Sequence, residues 1–165
     1  LINIGKKRIA IIKETELSYN SQKRYTGYLK ALNEHKIAID KKIILSVEDI
    51  TLEQGRHMAN ILLSLKNRPD AIFAITDSAA IGVVQALKKF KIKIPEDIAV
   101  VGFSNSIYST IIEPMLTTID QPGERIGSTA IKYLIEEIDN PNEFTSNKTV
   151  EIKSNLIIRD STFSS

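Results

Sequence analysis

The sequence predicts an α/β fold, an open parallel sheet with helices on both faces, and two observations support this. Short apolar segments typical of buried strands alternate with segments whose apolar residues recur at helical spacing. Two of the strand-like segments, Ala71 to Ile75 and Ile98 to Phe103, each end in a polar pair. In such a sheet a ligand site forms where the carboxyl ends of neighbouring strands meet. The pattern therefore predicts both a fold and the edge at which it would bind a ligand.

The size and composition are those of one ordinary globular domain. The chain has 165 residues, of which 42% are hydrophobic and 25% charged. A net charge of +2 is too small to indicate a nucleic-acid surface, and no apolar run is long enough to cross a membrane. The absence of cysteine excludes disulfides and thiolate chemistry. We expect a cytoplasmic protein with no membrane partner, no metal and no other cofactor.

The first half of the chain consists of strand and helix patterns in alternation. Tyr25, Tyr28, Leu29 and Leu32 recur at i, i+3, i+4 and i+7, which is the spacing of an amphipathic helix. The segment from Thr51 to Gln54 has the form of a helix capping box. The predicted strands are Arg8 to Ile12, Lys42 to Ser46 and Ala71 to Ile75, and the helices that follow them are Ser21 to Glu34, Thr51 to about Lys66 and about Ser78 to Phe90.

Beyond Phe103, where the fourth strand ends, the alternation breaks. We predict a loop that contains Tyr108, Ile111 and Ile112, and then a short extended piece at Thr117 to Ile119. A helix from about Gly123 to Ile138, a loop from Asp139 to Asn147 and a strand from Thr149 to Arg159 follow. The first residues, L-I-N-I-G, are typical of a helix end that leads into a strand. We therefore expect a fragment of a longer protein.

Five sequence stretches carry a resemblance to a known family. They are G-K-K-R-I-A from Gly5, S-Q-K-R-Y-T-G-Y from Ser21, R-P-D-A-I-F-A-I-T-D-S-A-A-I-G from Arg68, I-P-E-D-I-A-V-V-G-F-S-N from Ile94 and P-M-L-T-T-I-D-Q-P from Pro114. In order and content they resemble the effector-binding core of the lactose-repressor (LacI/GalR) family of bacterial transcription regulators, over nearly the whole chain. The resemblance implies a periplasmic-binding-protein-like fold of type I, mostly its C-terminal subdomain.

The resemblance also implies a division of the chain. Residues 1–121 would form the C-terminal subdomain of the effector-binding core. Residues 122–146 would form a crossover helix of the N-terminal subdomain, and residues 147–165 a return strand and a tail. The helix-turn-helix DNA-binding domain of the family is absent from these residues.

The ligand-binding residues that the resemblance implies are Arg24, Ile50, Thr76, Asp77, Ser104 and Asn105. Arg24 would point into the pocket; the alternative is an exposed helix face. Asp77 would lie beside the ligand; the alternative is that it caps the helix at Ser78. Ser104 stands where the family's G-F-D-D has a carboxylate, and a neutral serine cannot supply a charge-assisted bidentate acceptor. The usual mode of sugar binding is therefore in question.

A dimer surface is implied as well, formed by Ile81, Gln85, Tyr108, Ile111 and Ile112. Large apolar residues in a connecting segment would face water on a monomer, and such a patch usually marks an interface. The alternative is that Ile111 and Ile112 pack under the edge of the sheet.

The resemblance implies the ligand-sensing and dimerisation module of a transcription regulator. A small-molecule effector, a sugar or related metabolite, would shift the hinge angle of a homodimer, and DNA would be bound only through the missing N-terminal domain. The alternative is one lobe of a periplasmic sugar-binding protein. We expect no enzyme, because the chain lacks a G-x-G-x-x-G motif and a nucleophile with a paired base, and His35 and His57 lack metal-ligand spacing.

Overall fold

The computed structural model describes residues 1–16, 18–140 and 149–163. The strands are β1 (Ile9–Glu14), β2 (Ile44–Val47), β3 (Ala71–Ala74), β4 (Ala99–Val101), β5 (Thr118–Asp120) and β6 (Asn155–Ile157). The α-helices are α1 (Tyr19–Glu34), α2 (Leu52–Ser64), α3 (Asp77–Lys89), α4 (Tyr108–Ile111) and α5 (Gly123–Asp139). Short 3₁₀ turns span Ile2–Ile4 and Lys41–Ile43.

Four strands form a parallel sheet in the order β2-β1-β3-β4. On one face α2 and α3 pack over Ile12, Ile72 and Val100. On the other face α1 packs through Tyr28 and Leu32. A sheet covered on both faces needs strands that are apolar along their length, and this explains why residues 9 to 12 are all buried. The predicted fold class is confirmed.

The helices α2 and α3 approach each other so closely that two glycines are required at the contact. A Cβ on Gly82 would overlap the carbonyl oxygen of Leu52, and one on Gly55 would overlap the carbonyl oxygen of Ala79. The backbones of α2 and α3 are therefore in direct contact.

The N-terminus of α3 corrects one interpretation of the sequence. Asp77 was the candidate cap, but Thr76 occupies the N-cap position, and its hydroxyl accepts a hydrogen bond from Ala79 N at 3.3 Å. Asp77 is the first residue of the helix. Threonine is among the residue types that cap helices, and because its hydroxyl fills this role the Asp77 carboxylate is free to make contacts elsewhere.

Two predictions for the second half of the chain are wrong. The segment with Tyr108 and Ile111 forms the short helix α4, not a loop. The strand predicted over Thr149 to Arg159 is only Asn155–Ile157, and it pairs antiparallel with β5 in a separate two-stranded sheet. An alternating sequence extends as a strand only as far as a partner edge exists, and β5 is three residues long. The predicted loop from Asp139 to Asn147 lies outside the described residues from position 141 onward.

The chain returns to the main sheet just beyond β6. Ser161 Oγ donates to Val100 O at 2.6 Å, and Val100 N donates to Ser161 O at 2.9 Å. The extended segment around Thr117 also runs parallel to the end of β4. The crossover and the C-terminal segment therefore leave and rejoin the sheet beside its carboxyl edge.

Candidate functional site

Arg24 lies at the carboxyl edge of the sheet. Its Nη1 donates to the Ile75 carbonyl oxygen at 2.8 Å, and its Cζ lies 3.9 Å from the centroid of the Phe103 ring. Burial lowers the pKa of the guanidinium, and the nearby Glu14 carboxylate opposes that shift. Arg24 is half-buried, so the alternative in which it lies on an exposed helix face is wrong. Arg24 thus links α1 to the ends of β3 and β4.

The end of β1 brings a carboxylate to the same edge. Glu14 Oε2 accepts a hydrogen bond from Ser21 Oγ at 2.5 Å, and Ser21 also contacts the N-cap residue Ser18. Lys13 Nζ donates to the Glu14 carbonyl oxygen and lies 5.2 Å from the Tyr25 ring centroid. The sequence analysis missed Glu14, although its position at the end of an apolar strand is the signal that could have found it.

Asp77 is buried beneath the edge of the sheet and is not exposed at its surface. Its side chain is 2% exposed. One carboxylate oxygen accepts from Ser106 N at 2.7 Å and the other from Thr118 Oγ1 at 2.6 Å. A Cβ on Gly102 would overlap this carboxylate, which explains why position 102 is occupied by glycine. Asp77 therefore connects α3 to the loop after β4 and to β5. These hydrogen bonds hold the loop and β5 in place at the carboxyl edge.

The loop after β4 has an unusual backbone. Ser104 has φ 122° and Asn105 has φ 50°, both in a region that non-glycine residues rarely adopt. Ser104 N donates to Ile119 O at 3.0 Å, which anchors the loop to the crossover. The Ser104 hydroxyl makes no hydrogen bond within the described residues, so it is available at the edge.

Asn105 and Arg159 form a polar network that holds this loop. Asn105 Nδ2 donates to Asp120 Oδ1 at 2.9 Å, and Asn105 Oδ1 accepts from Arg159 Nη2 at 2.7 Å. Arg159 Nη1 donates to Leu116 O at 2.8 Å and to Ser109 Oγ at 3.0 Å. The network joins the edge loop, the α4 segment and the crossover. Arg159 and Asp120 were missed, because no local pattern signals contacts between residues so distant in sequence.

The other two ligand candidates have structural roles as well. Ile50 is half-buried and packs against the core on both faces of the sheet, in the loop before α2. The Thr76 hydroxyl accepts from Ala79 N and can still donate one hydrogen bond. The structure thus brings Arg24, Thr76 and Ser104 to one edge with groups available for binding, while Asp77 and Asn105 support that edge from within.

The five predicted dimer residues meet on another face. Together with Leu52 and Ser78 they line a shallow cavity of about 410 Å³. Tyr108 is 65% and Ile111 70% exposed, whereas Ile81 is buried and Ile112 packs partly against the core. The alternative of packing under the sheet therefore holds for Ile112 and not for Ile111.

The described residues contain neither a metal-type cluster nor a membrane-type helix. No three or more His, Cys, Asp or Glu side chains within residues 1–16, 18–140 and 149–163 are arranged to hold a metal ion. In the same ranges no helix combines the length and the apolar character needed to cross a bilayer. An apolar cavity of about 450 Å³, lined by residues such as Leu1, Tyr28, Phe73 and Phe163, lies beside α1 and away from the polar edge.

Comparison with known proteins decides the family. Residues 1–162 match the periplasmic binding protein-like domain. The chain belongs to this family, among the LacI-type regulators. It is 35% identical over 162 residues to the NTD biosynthesis operon regulator NtdR of Bacillus subtilis, covering 98% of this chain and 49% of NtdR. The chain spans about half the length of the curated relatives it matches.

Solved structures of LacI-type regulators share the fold. A regulatory protein of the LacI family from Chloroflexus aggregans superposes with a TM-score of 0.90 at 32% identity, covering 97% of this chain and 57% of that one. The transcriptional regulator CelR, solved as a complex with cellobiose, gives 0.89 at 28% identity, covering 98% and 48%. Because these relatives are regulators, the comparisons confirm the predicted LacI-type membership and the prediction that the domain is not an enzyme.

Proposed function

We propose that this chain is the effector-sensing and dimerisation part of a LacI-type transcription regulator in the bacterial cytoplasm. The observation that carries the proposal is the position of Arg24. Its guanidinium bridges α1 and the ends of β3 and β4, where a hydrogen bond to Ile75 and the Phe103 ring fix its orientation. A planar donor group held in this way can bind a ligand with little loss of side-chain entropy.

The effector is proposed to be a sugar or a related metabolite that binds at the carboxyl edge. Arg24, Thr76 and Ser104 would contact it, Ile50 would line its apolar side, and Asp77 and Asn105 would hold the edge in shape. The complex of CelR with cellobiose supports this, since CelR has the same fold. The relatives favour this function over that of a periplasmic sugar-binding protein, because they are transcription regulators.

The crossover helix α5 is proposed to belong to the N-terminal subdomain, as the predicted division implies. None of its residues is buried, although Ile126, Leu134 and Ile138 form an apolar face that is 46% to 68% exposed. A helix with such a face needs a partner surface. The rest of a two-lobed effector core would supply that surface.

The proposed mechanism is a shift between two arrangements of the lobes. An effector that contacts both lobes favours one hinge angle by the difference in its affinity for the two arrangements. The network of Asn105, Asp120 and Arg159 connects the effector edge to the crossover and to the segment that carries α4. The DNA-binding heads of a homodimer, in a domain outside these residues, would respond to the change.

A titration of the full-length regulator tests this function. Sugars, nucleosides and sugar phosphates are screened by thermal shift, and any compound that raises the melting temperature is added to the complex with DNA obtained by in vitro selection. We expect a stabilising compound to change DNA affinity by about 10-fold or more, which corresponds to about 1.4 kcal/mol of coupling. Stabilisation by a compound that leaves DNA affinity unchanged would contradict the proposal.

Dimerisation through α3 and α4 gives a separate prediction. Ile111→Asp places a charge on a side chain that is 70% exposed, so the monomer fold should be unaffected. A charge at the centre of an apolar interface should raise the dimer dissociation constant by about 30-fold or more. Sedimentation velocity on the full-length protein measures it. Ile39→Asp, at a side chain 49% exposed before β2, is the matched control, and equal constants for the two variants would place the interface elsewhere.

A further inference from the structure

From the groups that remain free at the carboxyl edge, we infer that the effector carries an anionic group, a carboxylate or a phosphate, that binds the Arg24 guanidinium. This inference rests on the proposed effector site and narrows the class of its ligand. It follows from three observations: a half-buried cation with no carboxylate of the described residues within 4 Å, acceptor groups that are mostly engaged, and hydroxyl groups that are free to donate.

Arg24 is a half-buried cation without an ion-pair partner. The ion pairs within the described residues join Arg8 to Asp40, Lys30 to Glu34 and Lys132 to Glu136, so no carboxylate of these ranges lies within 4 Å of Arg24. Only Nη1 makes a hydrogen bond there, to Ile75 O, while a guanidinium carries five N–H donors. Removing a charge from water without pairing it costs free energy, and an anionic ligand would remove that cost.

The protein itself engages most of the side-chain acceptor oxygens at this edge. Both oxygens of Asp77 accept hydrogen bonds, and its side chain is 2% exposed. Asn105 Oδ1 accepts from Arg159, Asp120 Oδ1 accepts from Asn105, and Glu14 Oε2 accepts from Ser21. A neutral polyol carries many hydroxyl protons and needs acceptors for them. Among the carboxylates of Glu14, Asp77 and Asp120, the oxygens without a hydrogen bond in the described residues are Glu14 Oε1 and Asp120 Oδ2, so this edge offers few.

Two hydroxyl groups at this edge remain free to donate. The Ser104 hydroxyl has no partner within the described residues, and the Thr76 hydroxyl, which accepts from Ala79 N, has its proton left to donate. Ser104 directly follows Phe103, the residue on whose ring the guanidinium lies. Thr76 and Ser104 each follow a residue that the guanidinium contacts, Ile75 and Phe103. Two hydroxyl donors at the strand ends that hold a planar cation match a ligand group that has several acceptor oxygens and a negative charge.

Matched ligand pairs test the inference on the full-length protein. Calorimetric titrations compare D-glucose with D-gluconate, D-galactose with D-galacturonate, and D-ribose with D-ribose 5-phosphate, with acetate and inorganic phosphate as the bare anions. We expect at least one charged sugar to bind about 10-fold or more tightly than its neutral partner. The acid and phosphate pairs distinguish the two sources of charge. Neutral sugars that bind as tightly as the charged ones, or an absence of binding by every charged sugar, would overturn the inference.

Two variants then show whether the preference arises at this edge. Ser104→Asp adds a carboxylate beside Phe103 and should weaken binding of the charged sugar by about 10-fold or more. Asn60→Asp adds the same charge on an exposed position of α2 and should leave binding unchanged. If both variants weaken binding equally, net charge rather than the edge is responsible and the inference fails.

Failure of the inference can be told apart from failure of the proposed function. A neutral sugar that binds, depends on Arg24 and alters DNA affinity would overturn the anionic class while supporting the effector site. Charged and neutral compounds that bind without altering DNA affinity would contradict the regulatory function itself.

Discussion

Replacing Asp77 by alanine is expected to lower the free energy of unfolding by about 3–5 kcal/mol. Its carboxylate accepts hydrogen bonds from Ser106 N and Thr118 Oγ1 in a site where the side chain is 2% exposed. A hydrogen bond to a charged group contributes about 1.5–3 kcal/mol, and both donors would lose their partner in the interior. Urea denaturation measures the loss.

Asp70→Ala is the matched control for this substitution. Asp70 likewise accepts two hydrogen bonds, here from the backbone N–H groups of Lys7 and Arg8, but in a more exposed place where water can replace it. We expect that control to lose only about 1 kcal/mol. Equal losses in the two variants would show that the burial of Asp77 contributes nothing.

Replacing Gly82 by alanine is the second substitution with a large expected effect. The added Cβ would overlap Leu52 O and come within 2.9 Å of Arg56 N, both backbone atoms of α2. Because neither atom can rotate away, α2 and α3 must separate, and we expect a loss of about 3 kcal/mol or more in the free energy of unfolding. Thermal denaturation followed by circular dichroism measures it.

Gly27→Ala is the control, and we expect it to change the free energy of unfolding in the opposite direction. Gly27 lies within α1, and a Cβ there would meet no atom within 4 Å. Alanine should therefore raise the free energy of unfolding by up to about 1 kcal/mol, because glycine loses more backbone entropy in a helix. A Gly82→Ala protein as stable as wild type would mean that α2 and α3 are not in backbone contact.

The main sheet could be predicted because its signals are local. The apolar run from Ile9 to Ile12 is buried on both faces, and such runs separated by amphipathic helices describe a parallel sheet wherever they occur. The short β6 shows the limit of this reasoning. Its length depends on how much partner edge β5 offers, and a strand's own sequence does not contain that information.

The site was predictable only where a motif marked it. Arg24 and Ser104 are candidates because they stand in recognisable motifs, and the structure places both at the carboxyl edge. The shift of the helix cap from Asp77 to Thr76 was not predictable, since either residue type caps well. Arg159 lies 54 positions from Asn105, its hydrogen-bonding partner, and tertiary packing alone brings them together.

The central claim is that an effector binds at the carboxyl edge through Arg24. Calorimetric titration of the full-length regulator with the effector identified by the screen tests it most directly, with Arg24→Ala beside the exposed control Lys23→Ala. We predict that Arg24→Ala weakens binding by about 1.5–3 kcal/mol, roughly 10- to 150-fold, while Lys23→Ala binds as wild type does. An Arg24→Ala protein that binds the effector with wild-type affinity would contradict the claim.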